Sequence, residues 1–373
     1  MPSNWDRVIG QERVKNVLRT ALRNGRLAHA YLFWGNDGVG KDALAIEFAR
    51  TLLCRSNSDT ACGECPSCRK METLQHPNLK LIFPMPGGDG DKGEEGESLE
   101  NDVLEEVRKQ TAEKASDPYV NIEIPKARFI RIRSIRELKK ESSMSSAEAG
   151  RKVFLILDAD AMNDASTNSL LKVLEEPLDG VHFLLVSSRK DAVKQTIISR
   201  CQLIQCSVLA EDEIAEALMR RKQVDAAQAR AVARLADGNY SRACELLGSE
   251  LTAFRTDAVQ FLRSALGPSA LKLFQEQEEY LTGNRRDDAE RLLMMLLVFF
   301  RDALLVRENV PSLVVNADQE EALCNFVNKF GAKDLPACLD AVERALGLLQ
   351  RNVYLPLVML SLVMTLRRIL HAH

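Results

Sequence analysis

Apolar and polar residues follow two kinds of pattern in the first half of the chain. Residues 11–24 carry an apolar residue every three or four positions, which predicts an amphipathic helix. Short apolar runs bounded by polar turns predict strands that are buried on both faces. These runs are His29–Trp34, Leu79–Phe83, Val153–Leu157 and His182–Ser187. Because such strands alternate with helical patterns, we expect an α/β fold with a parallel sheet and helices on both faces.

The second half of the chain is helical in pattern, and the strand pattern stops near Leu209. Three short helices are predicted at Glu211–Arg221, Ala226–Leu235 and Ser241–Leu247, and the pattern stays helical from Leu251 onward. The predicted domains are an α/β domain (1–208), a small three-helix domain (209–248) and an all-α domain (249–373), whose apolar helix faces need partners within a bundle or across a subunit boundary.

Composition narrows the possible functions. The 373 residues carry a formal net charge of −3, so the whole molecule offers no electrostatic attraction to nucleic acid, and a DNA contact needs a local basic patch. The first residues, MPSNWDRVIGQERV, lack the features of a signal peptide, and no apolar run reaches the roughly 18 residues of a membrane helix. We therefore expect a cytoplasmic protein without a membrane partner.

The stretch GNDGVGKD, from Gly35 to Asp42, has the spacing of a phosphate-binding loop between a predicted strand and a predicted helix. Gly35, Gly38 and Gly40 let backbone amides turn towards an anion, and Lys41 supplies a charge for the outer phosphates. Asp42 stands where such loops have the hydroxyl that binds Mg²⁺, and its carboxylate would repel a triphosphate. This substitution places the binding of ATP and Mg²⁺ in doubt.

The second acidic position of a nucleotide site agrees with this interpretation. Asp158 ends an apolar run, which is the usual place for the residue on the magnesium side. The next position holds Ala159 instead of a glutamate that would polarise water, and Asp160 projects differently. The sequence therefore predicts a degenerate, inactive or nearly inactive nucleotide site made of Gly35, Gly38, Gly40, Lys41, Asp42 and Asp158.

Four of the nine cysteines lie within the fifteen residues CRSNSDTACGECPSC. Four thiolates at such short spacing can enclose one tetrahedral Zn²⁺ without an open position for water, so we predict a structural zinc module at residues 54–68. Free or disulfide-paired cysteines are the alternative. The predicted ligands are Cys54, Cys62, Cys65 and Cys68.

Two further segments are unusual in charge. An acidic insert at about residues 87–118 is rich in acids and glycines between Gly87 and Glu106, which predicts a flexible surface loop. The most basic segment is RFIRIRSIRELKK, in which Arg133, Arg136 and Lys140 fall on one helical face. That face either contacts DNA phosphates or is an ordinary solvated helix surface.

Several motifs in order resemble a known family. They are IGQ at 9–11, AHAYLFWG before the glycine loop, the four cysteines, HPN at 76–78, NSLLKVLEEP at 168–177 and SRC at 199–201. Together they resemble the bacterial DNA polymerase III clamp-loader subunits of the AAA+ class, most closely those of the delta prime type, over about residues 5–245.

The resemblance implies a role for Arg200, the arginine of the SRC motif. In this family that arginine reaches the ATP site of a neighbouring subunit and stabilises phosphate charge during hydrolysis. Delta prime subunits lack a competent ATPase site, whereas gamma or tau subunits normally have a threonine at position 42 and a glutamate at position 159. The family's second-sensor arginine aligns with Ser241, since Arg242 lies one position late.

The function that the resemblance implies is a subunit of a replicative clamp loader. Such a chain works with gamma/tau-type and delta-type subunits in a heteropentamer that loads the sliding clamp on primer-template DNA. It supplies Arg200 in trans and has no ATP turnover of its own. Two alternatives remain: an active ATPase of the gamma/tau type, and a zinc-dependent DNA-binding module.

Overall fold

The computed structural model describes residues 4–56, 58–86, 101–144, 150–247, 251–267, 286–310, 314, 320–350 and 353–371. The chain divides into two compact units, residues 1–245 and 246–373. In the described ranges, every helix is too short or too polar to cross a membrane.

The first unit is built on a five-stranded parallel sheet with the strand order β2-β5-β6-β1-β7. A separate antiparallel pair, β3 with β4, lies outside this sheet. The strands are β1 (Ala30–Trp34), β2 (Leu79–Ile82), β3 (Met85–Pro86), β4 (Ala127–Phe129), β5 (Lys152–Ile156), β6 (Val181–Ser187) and β7 (Gln202–Gln205).

Helices cover both faces of the sheet because successive strand residues point to opposite sides. On one face, Tyr31 packs edge-on against Phe48 of helix α2. On the other face, Phe154 and Phe183 stack and join the core that also contains residues of helices α5 and α6. The helices are α1 (Glu12–Arg23), α2 (Lys41–Leu53), α3 (Pro66–Met71), α4 (Asn101–Ser116), α5 (Ile132–Ser142), α6 (Asp164–Glu175), α7 (Gln195–Ile198), α8 (Glu211–Lys222), α9 (Ala226–Ala236) and α10 (Tyr240–Leu246). The predicted α/β fold, a parallel sheet with helices on both faces, is confirmed.

The second unit is helical wherever it is described, as the sequence predicts. Its helices are Leu251–Ala265, Arg286–Arg307, Glu320–Phe330, Leu335–Gln350 and Leu355–His371. Phe299, Phe300, Phe326 and Phe330 form an aromatic cluster within it. The division of the chain into three domains, with its boundaries, stays a prediction.

Two features differ from the sequence expectations. The acidic insert was expected to be a flexible loop up to Glu106, but residues 101–116 form helix α4; residues 87–100 lie outside the described residues. Composition hid this helix, whose inward positions at Val103, Val107, Gln110 and Lys114 follow helical spacing. Strand β7 was also overlooked, because it is an edge strand whose residues are exposed except for Ile204.

Candidate functional site

The glycine loop follows β1 and leads directly into α2, which begins at Lys41. Gly38 and Gly40 have φ angles of 66° and 95°, which glycine adopts without strain. Other side chains press on both residues. A Cβ at Gly38 would lie 1.6 Å from Asn239 Oδ1, and one at Gly40 would lie 2.7 Å from the Tyr119 hydroxyl. The loop therefore has the expected backbone, but protein atoms pack closely against it.

Lys41 is turned towards its own loop. Its side chain is 6% exposed, and its ammonium donates a hydrogen bond to the Asn36 carbonyl at 2.6 Å. The same nitrogen lies 3.7 Å from the Asp37 carboxylate. The positive charge that a phosphate would use is thus engaged within residues 36–41.

Asp42 forms an ion pair with Lys114 of helix α4. The Lys114 side chain is fully buried, and its ammonium also donates to the Val120 carbonyl at 2.8 Å. A buried ammonium is stable only when it is paired and hydrogen-bonded, so the two acceptors explain why a lysine tolerates this position. The acid at position 42 therefore has a structural partner, and that partner comes from the insert.

Tyr119 lies against Gly40 of the glycine loop and lines the cavity beside it. Its hydroxyl accepts a hydrogen bond from the Ile9 amide at 2.8 Å, and its ring packs edge-on against Tyr240. The Tyr119 carbonyl accepts a hydrogen bond from the Ser241 hydroxyl at 2.8 Å. The segment after α4 is thus fixed to the start of the chain and to α10.

The space left beside the loop is a cavity of about 160 Å³. Sites for drug-sized ligands usually measure roughly 300 to 1,000 Å³, so this cavity is small by comparison. Most of its charged lining is acidic, and each carboxylate disfavours an additional anion. The acidic lining residues are Asp37, Asp42, Glu123 and Asp158.

Asp158 lies at the end of β5 with a φ angle of 51°, at the wall of this cavity. Desolvation by the surrounding protein, with the charges of Asp42 and Asp160, raises the pKa of Asp158 to about 6. Asp160 accepts hydrogen bonds from Ser187 at 2.8 Å and from Arg189 at 2.9 Å. Because both Asp160 oxygens are engaged, this residue is poorly suited to activate a water molecule.

The four clustered cysteines come together as the sequence predicts. Their sulfur atoms all lie within 4.8 Å of one another, and the closest pair is Cys54 with Cys62 at 3.6 Å. A tetrahedral zinc with Zn–S bonds of about 2.3 Å requires sulfur separations of about 3.8 Å, which these distances match. All four are free cysteines, so the cluster can bind a metal ion such as zinc.

Backbone amides prepare the cysteine cluster for negative charge. The amide of Cys68 donates to the Cys65 sulfur at 3.4 Å, and the amide of Cys62 donates to the Cys54 sulfur at 3.3 Å. Burial raises the pKa of Cys65, but hydrogen bonds from the backbone of Arg55 and Cys68 outweigh it and lower the pKa to about 6. These donors favour the thiolate form that a metal requires.

Arg200 follows helix α7 and precedes the edge strand β7. Its guanidinium donates to the Glu175 carboxylate at 2.7 Å and to the Thr196 carbonyl at 2.9 Å. The Arg200 side chain is 34% exposed and that of Glu175 is 50% exposed. Glu175 is the first glutamate of the LEEP motif, so two motifs of the family resemblance meet in one ion pair.

The three predicted DNA contacts lie on α5 but in different settings. Arg133 pairs with Glu137 of the same helix at 3.0 Å. Arg136 and Lys140 instead line a second cavity. Contact of these residues with DNA stays a prediction.

Comparison with known proteins settles the family. The family described as DNA polymerase III, delta subunit, matches residues 10–210, which is more than half of the chain. The chain belongs to the DNA polymerase III delta subunit family. Within it the chain is of the delta prime type, since delta prime subunits are among its relatives.

Relatives in this family cover the chain to different extents. The delta prime subunit of Bacillus subtilis is 26% identical over 96% of each chain. The delta prime subunit of Pseudomonas aeruginosa is 30% identical over 64% of this chain and 62% of its own. The tau/gamma subunit of Haemophilus influenzae is 30% identical over 58% of this chain, and the matched part covers only 26% of that relative.

Sequence reasoning missed three residues that shape the site of this family member. Lys114 lies in the predicted acidic insert and Tyr119 directly after it, and neither belongs to a nucleotide-binding motif. Glu175 was quoted as part of a motif without a partner. A lysine at an inward position of a helical pattern, as at Lys114, was the one available sign of a buried charge.

Proposed function

We propose that this chain is a clamp-loader subunit of DNA polymerase III that does not turn over ATP. Its partners are gamma/tau-type and delta-type subunits in a heteropentamer, with which it loads the sliding clamp on primer-template DNA in the cytoplasm. The family and the delta prime and tau/gamma relatives support this assignment.

The observation that carries the absence of turnover is the ion pair between Asp42 and the buried Lys114. Mg²⁺ would need ligands at this point, and the Asp42 carboxylate is already neutralised by an ammonium. A triphosphate would also have to enter a cavity of about 160 Å³ with a mostly acidic charged lining. Lys41 at the end of the glycine loop and Asp158 after β5 would then bind no nucleotide.

Arg200 is proposed to act in trans on the ATP site of a neighbouring gamma/tau-type subunit. An exposed ion pair such as Arg200 with Glu175 contributes only about 0 to 1 kcal/mol, so a triphosphate can replace Glu175 at little cost. The planar guanidinium can then bind two phosphate oxygens as negative charge develops on them.

The cysteine cluster is proposed to hold one structural Zn²⁺. Four sulfur ligands fill a tetrahedral site, so the ion would have no open position for a substrate or for water. The segment of the cluster begins directly after α2 and ends within α3, and Asp59 in this segment pairs with Arg19 and Arg23 of α1. A bound zinc would therefore stabilise a segment that is anchored to the body of the domain.

The test is hydrolysis by the assembled complex with Arg200→Ala. The burst of ATP hydrolysis should lose the contribution of one site, because an arginine finger is worth about 10³-fold or more in rate. Arg189→Ala is the matched control, since Arg189 is an exposed arginine paired with Asp160 in the same unit. An unchanged burst with Arg200→Ala contradicts the role in trans.

Measurements on the isolated chain separate the two alternatives. ATP turnover by the isolated chain would favour an active ATPase of the gamma/tau type. Tight, salt-sensitive binding of duplex DNA by the isolated chain would favour a zinc-dependent DNA-binding module. The proposed function expects neither.

A further inference from the structure

A second cavity, of about 460 Å³, lies beside α5, α6 and the amino end of β6. It is nearly three times as large as the space beside the glycine loop, which follows the carboxyl end of β1. Strands β1 and β6 are parallel, so the two cavities lie at opposite ends of the strands. No step of the proposed ATPase chemistry uses this second cavity.

Four cations surround the cavity. Arg136, Lys139 and Lys140 come from one side of α5, and Lys172 comes from α6. All four are exposed, and none has an ion-pair partner among the residues that the structure describes. Arg133 on the same helix differs, because it pairs with Glu137 and does not line the cavity.

The floor of the cavity is apolar. Val173, Val181 and Phe183 are buried, whereas Leu178 at the rim is 54% exposed. A large exposed leucine beside an apolar floor can be covered by another apolar side chain, and removing both apolar surfaces from water favours that contact. The cavity therefore combines unpaired positive charge with a place for one apolar group.

We propose that this cavity binds a segment of a partner protein in which acidic residues flank a large apolar side chain. The apolar side chain lies on the floor against Leu178. Carboxylates on one side of it pair with Arg136 and Lys140 of α5, and carboxylates on the other side pair with Lys172 of α6. Because the cations come from two helices, the segment needs acids on both sides of its apolar residue.

Several features favour a peptide over nucleic acid. Binding of bases uses exposed aromatic faces, but the Phe183 ring is fully buried and the other floor residues are aliphatic. The buried floor and the exposed Leu178 offer a surface to an apolar side chain, which a nucleic-acid backbone lacks.

The experiment measures binding of fluorescein-labelled peptides to the full chain by anisotropy. The probe is EDELFEDE, and the comparison peptides are EDESSEDE, which lacks the apolar pair, and QNQLFQNQ, which lacks the acids. We expect saturable binding of EDELFEDE only. The double variant Lys140→Ala/Lys172→Ala and the single variant Leu178→Ser should each weaken binding at least fivefold, because each removes side chains that contact the peptide. All three side chains are exposed, so both variants should still fold.

Arg133→Ala is the matched control on the same helix and should change the affinity by less than twofold. The proposal is overturned when the two acidic peptides bind equally, when no peptide binds, or when Arg133→Ala weakens binding as much as the double variant does. It is also overturned when a labelled duplex DNA, and not EDELFEDE, loses affinity in the double variant. That last result assigns the cations to nucleic acid.

Discussion

At the scale of single residues, the ion pair of Asp42 with Lys114 is the contact on which the proposed absence of ATP turnover rests. The Lys114 side chain is fully buried, whereas that of Asp42 is 23% exposed. Loss of the acid therefore leaves an ammonium without a charge partner in the interior, and loss of the lysine leaves a carboxylate that water can still reach. The two single substitutions should differ in cost for this reason.

We predict that Asp42→Thr, which introduces the hydroxyl that phosphate-binding loops usually carry after their lysine, lowers the free energy of unfolding by about 3 kcal/mol. The double variant Asp42→Thr/Lys114→Met should recover part of that loss, because it leaves no buried charge without a partner. Urea unfolding of the wild type, both single variants and the double variant measures this. Strict additivity of the two single effects would show that the pair is not coupled.

Glu47 of α2 is fully buried, and it gives the chain a pH-dependent stability. Burial raises the pKa of Glu47 to about 7, although Arg7 and Arg50 nearby oppose the rise. A carboxyl group with a raised folded pKa favours the native state when it is protonated. Its contribution is complete below pH 4.5, the ordinary value for the unfolded chain, and is lost as the pH rises through about 7.

We predict that the wild type loses stability relative to Glu47→Gln as the pH rises from 4.5 to 8, by up to about 3 kcal/mol. Thermal or urea unfolding of both proteins across this range gives the difference. Glu72→Gln is the control, because Glu72 is 51% exposed and also lies near Arg50. A difference that grows as the pH falls would contradict the prediction.

At the scale of elements, the cysteine cluster is a short module that a metal ion would hold together. Cys65 begins α3, Cys68 lies within it, and Cys54 follows the end of α2. A bound ion would join four sulfur atoms that lie within 4.8 Å of one another, and its binding free energy would add to the stability of the segment.

We predict one zinc per purified chain and a lower melting temperature after removal of zinc by a chelator. Cys68→Ser should abolish the bound zinc, whereas Cys201→Ser, at a cysteine outside the cluster, should retain it. Metal analysis and calorimetry measure both effects. Full stability in a chain shown to be free of metal would rule out a structural zinc.

Elements that carry a strong pattern could be predicted from the sequence. The buried strands β1, β5 and β6 were predicted because each is an apolar run between polar turns, and Ile135 and Leu138 mark the helical face of α5. β7 was missed because an exposed edge strand has no such run. α4 was missed because its acidic neighbours dominated the composition, although its inward positions have helical spacing.

The motifs of the candidate site could be predicted from the sequence, but the ion pairs that their residues form could not. Glycine spacing fixed the loop backbone, and cysteine spacing predicted the cluster that forms. The Asp42–Lys114 pair joins positions 72 residues apart in the sequence. No local pattern relates them, because their contact depends on where α4 packs. The same limit applies to Arg200 and Glu175, which lie in separate motifs.

At the scale of the whole molecule, the first unit combines a parallel sheet with a glycine-loop site that is occupied by side chains of the same chain. Lys114 pairs with the acid of the glycine loop, and Tyr119 covers Gly40. Arg200 lies at the edge of the sheet in an exposed pair that a stronger anion can replace. This arrangement suits a subunit that contributes to catalysis in a neighbour and not in itself.

The most direct measurement of this account is a titration of the isolated, full-length chain with ATP and Mg²⁺ by calorimetry, with a gamma/tau-type subunit as the positive control. The account predicts no saturable binding by this chain up to millimolar nucleotide, while the control binds under the same conditions. Micromolar, one-to-one binding accompanied by magnesium-dependent hydrolysis would contradict it.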